Sequence, residues 1–112
     1  MIGSDRDREL LAYIKESIDK IWEYTEGGCD LPRPDTVIED AVLRRLETLS
    51  DAAGHLSEPL KRRHANIPWP KVIAFRNILA HGYIGVEPEL AWRVVTDYLP
   101  TLETAVLEEL DR

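Results

Sequence analysis

Residues 39–56 read EDAVLRRLETLSDAAGHL, and the apolar side chains within them recur in steps of four and three. The recurring positions are Val42, Leu46, Leu49, Ala53 and Leu56. This spacing predicts an α-helix with one apolar face, as in the seam between packed antiparallel helices. Asp35 and Thr36, followed by Glu39, give a capping signal for its start, and Pro59 marks its end or a sharp break.

Proline and glycine divide the rest of the chain into further helices. The first is predicted over roughly 5–26 and ends at a Gly-Gly pair. The third is predicted over roughly 69–81, between a Pro-Trp-Pro start and a glycine. The fourth is predicted over 88–112, and Pro100 should kink it because proline removes one backbone donor and crowds the preceding turn.

No segment alternates polar and apolar residues with the period of two that indicates β-strands. We therefore expect an all-α protein, an up-and-down four-helix bundle with a kinked last helix, folded as one domain over 1–112. The stretch 57–67 fits this pattern least well, and we expect a basic turn there.

Composition narrows the class of protein. The chain has 112 residues, of which 44% are hydrophobic and 31% charged, enough for a globular core. No stretch approaches the roughly 20 apolar residues of a membrane span, and the first residues are charged, so we expect neither a span nor a secretory signal. A cytoplasmic location follows. One cysteine, Cys29, and three histidines argue against disulfides and a structural zinc site.

Charge is unevenly distributed along the chain. The net charge is −7, yet residues 59–86, here called the basic segment, contain no Asp or Glu. The basic segment carries Lys61, Arg62, Arg63, Lys71 and Arg76, whereas the other 84 residues hold nine basic and 21 acidic side chains. Such a segment can bind a phosphate backbone, and the alternative is a solvated basic turn.

The predicted third helix carries an arginine in apolar surroundings. On a helical wheel Arg76 falls between Val72 and Ala80. Asn77 and His81 lie four residues apart on the remaining polar arc. A permanently charged guanidinium is costly there unless it is paired or opens onto a cleft that binds an anion. Because apolar residues cover nearly the whole helix, we expect it at the centre of the bundle or in a subunit interface.

Residues 76–83, RNILAHGY, resemble the R-N-x-x-x-H-x-Y signature of the HEPN superfamily, specifically of the HepT-like ribonuclease toxins. The Arg-x4-His spacing is weakly specific by itself. The likeness extends over essentially the whole chain, through the proline-rich connector at 31–34, residues 39–47, residues 67–69 before the motif helix and residues 98–100 in the last helix.

This resemblance implies a metal-independent RNA endonuclease that acts as a homodimer, with the motif helices of two subunits lining one cleft. The ribose 2′-hydroxyl would attack the adjacent phosphorus and leave a cyclic phosphate, and no cofactor is implied. His81 would move the proton and Arg76 would hold the phosphate and stabilise its growing charge. Asn77 would orient His81 or a phosphate oxygen. The residues expected to bind the RNA are Lys61, Arg62, Arg63 and Lys71.

Ideal helix geometry agrees with a site built from two subunits. Arg76 and His81 project about 140° apart on a straight helix, so they converge poorly within one helix. They would need a distorted helix end or a second subunit.

The resemblance also gives Tyr83 a regulatory role. In HepT-like toxins the tyrosine two positions after the histidine can be adenylylated by a partner nucleotidyltransferase, the MntA-type antitoxin, which silences the nuclease. An anionic group beside Arg76 and His81 would occupy the phosphate site and repel RNA. The alternative is a half-buried aromatic residue that closes the helix end.

Other chemistry-bearing residues have simpler interpretations. Trp22, Trp69 and Trp92 fit core or interface anchors better than base-stacking platforms, since each lies in or beside an apolar helical pattern. His64 is expected in a solvated turn, with contact to RNA as the alternative. His55 is expected to contact the last carbonyls of the second helix.

Two further classes of function remain open on the sequence. One is a catalytically silent helical adaptor that binds a nucleotide or a nucleotidyltransferase. The other is a structural dimerisation module, which would need neither Arg76 nor His81. The burial cost of Arg76 favours the nuclease.

Overall fold

The structure is a computed structural model, and it describes residues 5–27, 37–81, 93 and 96–112, without the side chains at 78, 80 and 81. Its helices are α1 (Asp5–Tyr24), α2 (Val37–Gly54), α3 (Glu58–Arg63), α4 (Trp69–His81) and α5 (Leu99–Leu110). The described residues contain no β-strand, and the all-α prediction is confirmed.

α1 and α2 form the centre of the fold. α1 packs against α2 and α5, and α2 also packs against α4, so the helices contact one another in the order α4, α2, α1, α5. All five residues of the predicted α2 stripe are buried. The fully buried large side chains of the two central helices are Ile14, Ile18, Ile21, Val42, Leu46 and Leu49. Burying each such side chain contributes about 1.5–3 kcal/mol.

α1 ends two residues before the predicted boundary, in a turn that requires left-handed backbone. Glu26 has φ 50° and Gly27 has φ 73°. Glycine suits this conformation because it has no Cβ to clash with the preceding carbonyl. The backbone N–H of Gly27 donates to the carbonyl of Trp22 at 2.7 Å, which satisfies an acceptor of the last helical turn.

The stretch 57–67 contains a short helix, so the prediction of a plain basic turn there was wrong. Ser57 is the N-cap of α3, and Pro59 lies in its first turn, where the missing N–H costs no hydrogen bond. The buried carboxylate of Asp7 accepts hydrogen bonds from the backbone N–H and the hydroxyl of Ser57, at 3.0 and 2.6 Å. Pro59 therefore begins a new helix, and a contact from α1 fixes its start.

α4 has the predicted bounds and is buried on one side. Trp69, Phe75 and Leu79 face the core, and the indole N–H of Trp69 donates to the carbonyls of Lys61 and His64 at 3.1 Å each. Ile73 and Ala74 are exposed. The side chains at 78, 80 and 81 lie outside the described residues, so the choice between the bundle centre and a subunit interface stays a prediction.

The last helix is interrupted just before Pro100. Thr96 and Asp97 are helical, Tyr98 is a turn residue, and α5 begins at Leu99. The predicted kink at Pro100 takes the form of this break, because a proline is tolerated in the first turn of a helix but not in its interior. The rest of the predicted helix upstream, apart from residue 93, lies outside the described residues, as does Trp92.

None of the described helices is both long enough and apolar enough to cross a bilayer.

Candidate active site

Arg76 lies on the side of α4 that faces the C-terminal turns of α2. Its Nε is buried and lies 3.2 Å from Oδ1 of Asp51, a residue of α2. The Nε–H does not point at that oxygen, so the contact is an ion pair rather than a well-directed hydrogen bond. Nη1 of Arg76 donates to the side-chain oxygen of Asn77 at 3.2 Å, in an exposed hydrogen bond. The guanidinium is thus anchored at Nε and reaches the surface at Nη1.

The Arg76–Asp51 pair is only partly shielded from water. The two side chains are 36% and 49% exposed. The positive charge of Arg76 is balanced partly by the Asp51 carboxylate and partly by solvent. The free-energy cost of placing it beside apolar residues of the helix is therefore modest. It also keeps surface that a phosphate could contact.

Gly54 lies at the contact between α2 and α4. A Cβ added at Gly54 would lie 3.4 Å from Cγ1 of Ile73, which is van der Waals contact, so α4 packs directly against the end of α2 here. Nζ of Lys61 donates to the carbonyl of Gly54 at 2.8 Å, which satisfies an acceptor at the end of α2. These contacts hold the end of α2, and Asp51 with it, against Arg76.

Of the other motif residues, the structure places Asn77 and the backbone of His81. Asn77 is exposed beside Arg76. His81 is the last residue of α4, and its ring lies outside the described part of the chain, as does all of Tyr83. The pairing of Arg76 with His81 therefore stays a prediction.

Two residues beside Arg76 were missed as site residues from the sequence. Nε2 of His55 lies 3.9 Å from the same Oδ1 of Asp51 that faces Arg76, and the imidazole is 58% exposed. Instead of the predicted contact with helix carbonyls, its ring approaches a carboxylate. The available signal was the spacing of Asp51 and His55, four residues apart near the end of a helix.

The four predicted RNA-binding residues fall into two groups. Lys61 is bound to the carbonyl of Gly54 and is only 11% exposed, and Arg63 is held by Glu109. Arg62 and Lys71 are exposed and make no ion pair within the described residues. Of the four, Arg62 and Lys71 are therefore the ones that are open to a polyanion.

Arg63 pairs with a buried carboxylate in a charge cluster that ties α3 to α5. Its Nη2 and Nε donate to the carboxylate of Glu109 at 2.7 and 3.1 Å, and Nε2 of His64 donates to Oε2 at 2.7 Å. Hydrogen bonding from Arg63, assisted by His64, lowers the pKa of Glu109 from 4.5 to about 2, against the opposing effect of burial. His64 is buried, so the predicted solvated turn was wrong.

A groove beside α4 does not include Arg76 among its lining residues. It has a volume of about 510 Å³, and apolar side chains such as Val72, Phe75 and Leu102 line most of it. Lys71 also lines this groove, whereas Arg76 does not, so the groove is not where the motif arginine would bind a phosphate. Among the described side chains, no three of His, Cys, Asp or Glu come together as metal ligands would.

A ribonuclease family model, described as "Ribonuclease HepT-like", matches residues 14–109. The chain belongs to the HepT-like ribonuclease family. The match spans α1 to α5 and includes Asp51, Arg76 and His81. It confirms the resemblance drawn from residues 76–83 and the enzyme class, a ribonuclease.

Curated relatives agree with this assignment. A "putative RNase" of Methanocaldococcus jannaschii is 30% identical over 108 residues, which are 92% of this chain and 96% of that protein. A "probable ribonuclease HepT" of Thermococcus cleftensis is 32% identical, over 86% of this chain and 88% of its own length.

A longer relative also matches. A "gamma-glutamylcyclotransferase and putative RNase" of M. jannaschii is 36% identical over 106 residues, which are 91% of this chain but 48% of that protein. This chain thus spans about half of that relative. No solved structure matches this chain.

Proposed function

We propose that this protein is a metal-independent RNA endonuclease and the toxin of a toxin–antitoxin module. The supporting observation is the setting of Arg76 within the family motif. Its Nε is buried against α2, while its hydrogen bond to Asn77 is at the surface. A cation held at one end and open at the other suits repeated binding of a phosphodiester, because its orientation is fixed before substrate arrives.

The proposed reaction is attack of the ribose 2′-hydroxyl on the adjacent phosphorus. Arg76 binds the phosphate and stabilises the charge that grows on its oxygens. His81 takes the proton from the 2′-hydroxyl, and Asn77 orients either His81 or a phosphate oxygen. Arg62 and Lys71 are exposed cations of the basic segment, and they bind the RNA backbone on either side of the phosphate that Arg76 holds.

The active form is a homodimer in which two copies of α4 line one cleft. The exposed Ile73 and Ala74 support this proposal, because they are apolar and lie on the motif helix. A nucleotidyltransferase antitoxin silences the enzyme by adenylylating Tyr83, which adds a negative charge two residues beyond His81. The protein works in the cytoplasm.

The direct test is cleavage of end-labelled RNA in the presence of EDTA by the wild type and two variants. We expect Arg76→Ala to slow cleavage by about 10²–10³-fold through loss of an oxyanion donor. His81→Ala should slow it by about 10²–10⁴-fold through loss of proton transfer. Arg6→Ala, which removes an exposed arginine of α1, is the control and should match the wild type.

The second candidate is a catalytically silent helical adaptor for a nucleotidyltransferase. The ion pair between Arg76 and Asp51 favours it, since a structural contact would also account for a buried Nε. Equal background cleavage in the wild type and both variants would support the adaptor and contradict the nuclease. Cleavage that EDTA abolishes would contradict the metal-independent reaction.

A further inference from the structure

The groove beside α4 has two walls that carry opposite charges. Lys71 and Phe75 of α4 line one wall, and Asp97 and Tyr98, at the turn into α5, line the other. Lys71 and Asp97 are both exposed. The groove therefore brings together an accessible cation, an accessible carboxylate and two aromatic rings.

The rest of the lining suits a flat ligand with polar edges. Phe75 is buried and Tyr98 is half-buried, and Ser50, Asn66 and Thr101 add hydrogen-bonding groups among the apolar side chains. Small-molecule sites combine apolar walls with a few such polar groups in this way. Nucleobases have an apolar face and a polar edge, and they stack on aromatic side chains.

The two charges indicate how a nucleotide would lie in the groove. Lys71 makes no ion pair within the described residues, so it favours a phosphate at its wall. Asp97 repels a phosphate and accepts hydrogen bonds, and one of its oxygens already accepts from the hydroxyl of Thr96 at 3.4 Å. A carboxylate can accept a further bond from the amino group of a base such as cytosine. A nucleotide carries both complementary groups, whereas an apolar protein surface would leave both charges without a partner.

We propose that this groove holds one base of the RNA, beside the phosphate that Lys71 binds, and that Asp97 selects bases with an exocyclic amino group. The proposal rests on the proposed nuclease function and adds a substrate preference to it. Lys71 and Arg76 are five residues apart on α4, so they project about 140° apart on a straight helix. The bound base therefore lies away from the scissile phosphate and affects which RNA binds, not the bond-breaking step.

Binding of RNA that cannot be cleaved tests the groove separately from catalysis. The probes are three short strands of equal length and charge: oligocytidine, oligouridine and a strand of ribose phosphates without bases. Every ribose is 2′-O-methylated, which removes the attacking hydroxyl. Fluorescence anisotropy measures the affinity of each strand for the wild type and the variants.

We expect the wild type to bind oligocytidine about 10-fold more tightly than oligouridine, because only cytosine offers an amino group to Asp97. The strand without bases should bind at least 10-fold more weakly than oligocytidine, through loss of stacking. Asp97→Asn should abolish the preference for cytosine over uracil. This exposed substitution leaves the core unchanged.

Thr101→Trp places a large ring inside the groove and should bind all three strands alike. Thr104→Trp is the matched control, since Thr104 is an exposed residue of the same helix that does not line this groove, and it should bind as the wild type does. Thermal unfolding compares the folding of the two tryptophan variants.

Equal affinity of the wild type for the three strands would overturn the base site. A cytosine preference that persists in Asp97→Asn would overturn the role of Asp97. Unchanged strand preferences in Thr101→Trp, together with conversion of a dimer to a monomer in sedimentation, would make the groove a contact between two copies of the chain. Each of these results leaves RNA cleavage by the wild type intact, whereas the expected affinities without any cleavage of unmodified RNA would contradict the nuclease instead.

Discussion

The contact that compensates the charge of Arg76 could be predicted from the sequence only in part. The sequence places a permanent charge among apolar residues of one helix, and that placement predicts a compensating contact. The compensation comes from Asp51 on another helix and from partial exposure to solvent. Helical periodicity describes a single helix, so it could not identify Asp51 or the approach of His55 to the same oxygen.

Among the described carboxylates, Glu109 has a lowered pKa that links its ionisation to stability. It is buried, and its carboxylate accepts hydrogen bonds from Arg63 and His64. Its pKa is lowered to about 2 when folded, so its contribution to stability is fully present above the unfolded value of about 4.5. That contribution is lost as pH falls through the folded value.

We predict that Glu109→Gln lowers the free energy of unfolding by about 1.5–3 kcal/mol at pH 7, because it removes the charged acceptor of hydrogen bonds from Arg63 and His64. The difference from the wild type should shrink as pH falls from about 4.5 towards 2. Urea unfolding at several pH values measures this. Glu108→Gln changes the adjacent residue, whose side chain is 65% exposed, and should cost little. A constant Glu109→Gln deficit down to pH 2 would contradict the assignment.

At the scale of helices, patterns longer than two turns were predicted well and short ones were not. α2 and α4 carry a capping signal or a proline start and a clear apolar pattern. α4 has its predicted bounds, and α2 begins where predicted but ends at Gly54, before Pro59. α3 has six residues, too few to show periodicity, and its start depends on Asp7 from α1. Pro59 was interpreted as the end of the second helix or a sharp break, and it lies in the first turn of α3.

The sequence also could not show which cations of the basic segment are free, because tertiary contacts engage some of them. Arg62 and Lys71 are exposed, whereas Lys61 and Arg63 hold the fold together. We predict that Arg62→Ala and Lys71→Ala each weaken RNA binding and reduce the slope of log affinity against log salt by about 1. Fluorescence anisotropy across a salt series measures this.

Arg6→Ala removes an exposed arginine from α1 and is the control for charge alone. An unchanged slope in Arg62→Ala and Lys71→Ala, or an equal change in Arg6→Ala, would contradict an RNA path along the basic segment.

For the whole molecule, the sequence predicted the helical class and the central seam, since apolar spacing within each helix encodes both. It left open whether the motif helix is central or at an interface, because a helix covered with apolar residues fits either. Within the described residues α4 packs on α2 and leaves Ile73 and Ala74 exposed, so an interface at these positions stays a prediction.

We predict that Ala74→Glu converts a dimer to a monomer and lowers RNA cleavage, since a charge buried at a subunit contact is costly. Ala12→Glu changes an exposed alanine of α1 and should leave assembly unchanged. Sedimentation equilibrium of both variants measures this. A wild-type monomer that cleaves RNA, or an intact Ala74→Glu dimer, would argue against a cleft shared through α4.

The central claim is cleavage by the ribose 2′-hydroxyl with Arg76 at the phosphate, and the chemistry of the product ends tests it most directly. Mass spectrometry of RNA fragments made in EDTA should find 2′,3′-cyclic phosphate and 5′-hydroxyl ends, absent when the scissile ribose is 2′-O-methylated and strongly reduced with Arg76→Ala. Fragments with 3′-hydroxyl and 5′-phosphate ends, or the same yield from Arg76→Ala as from the wild type, would contradict it.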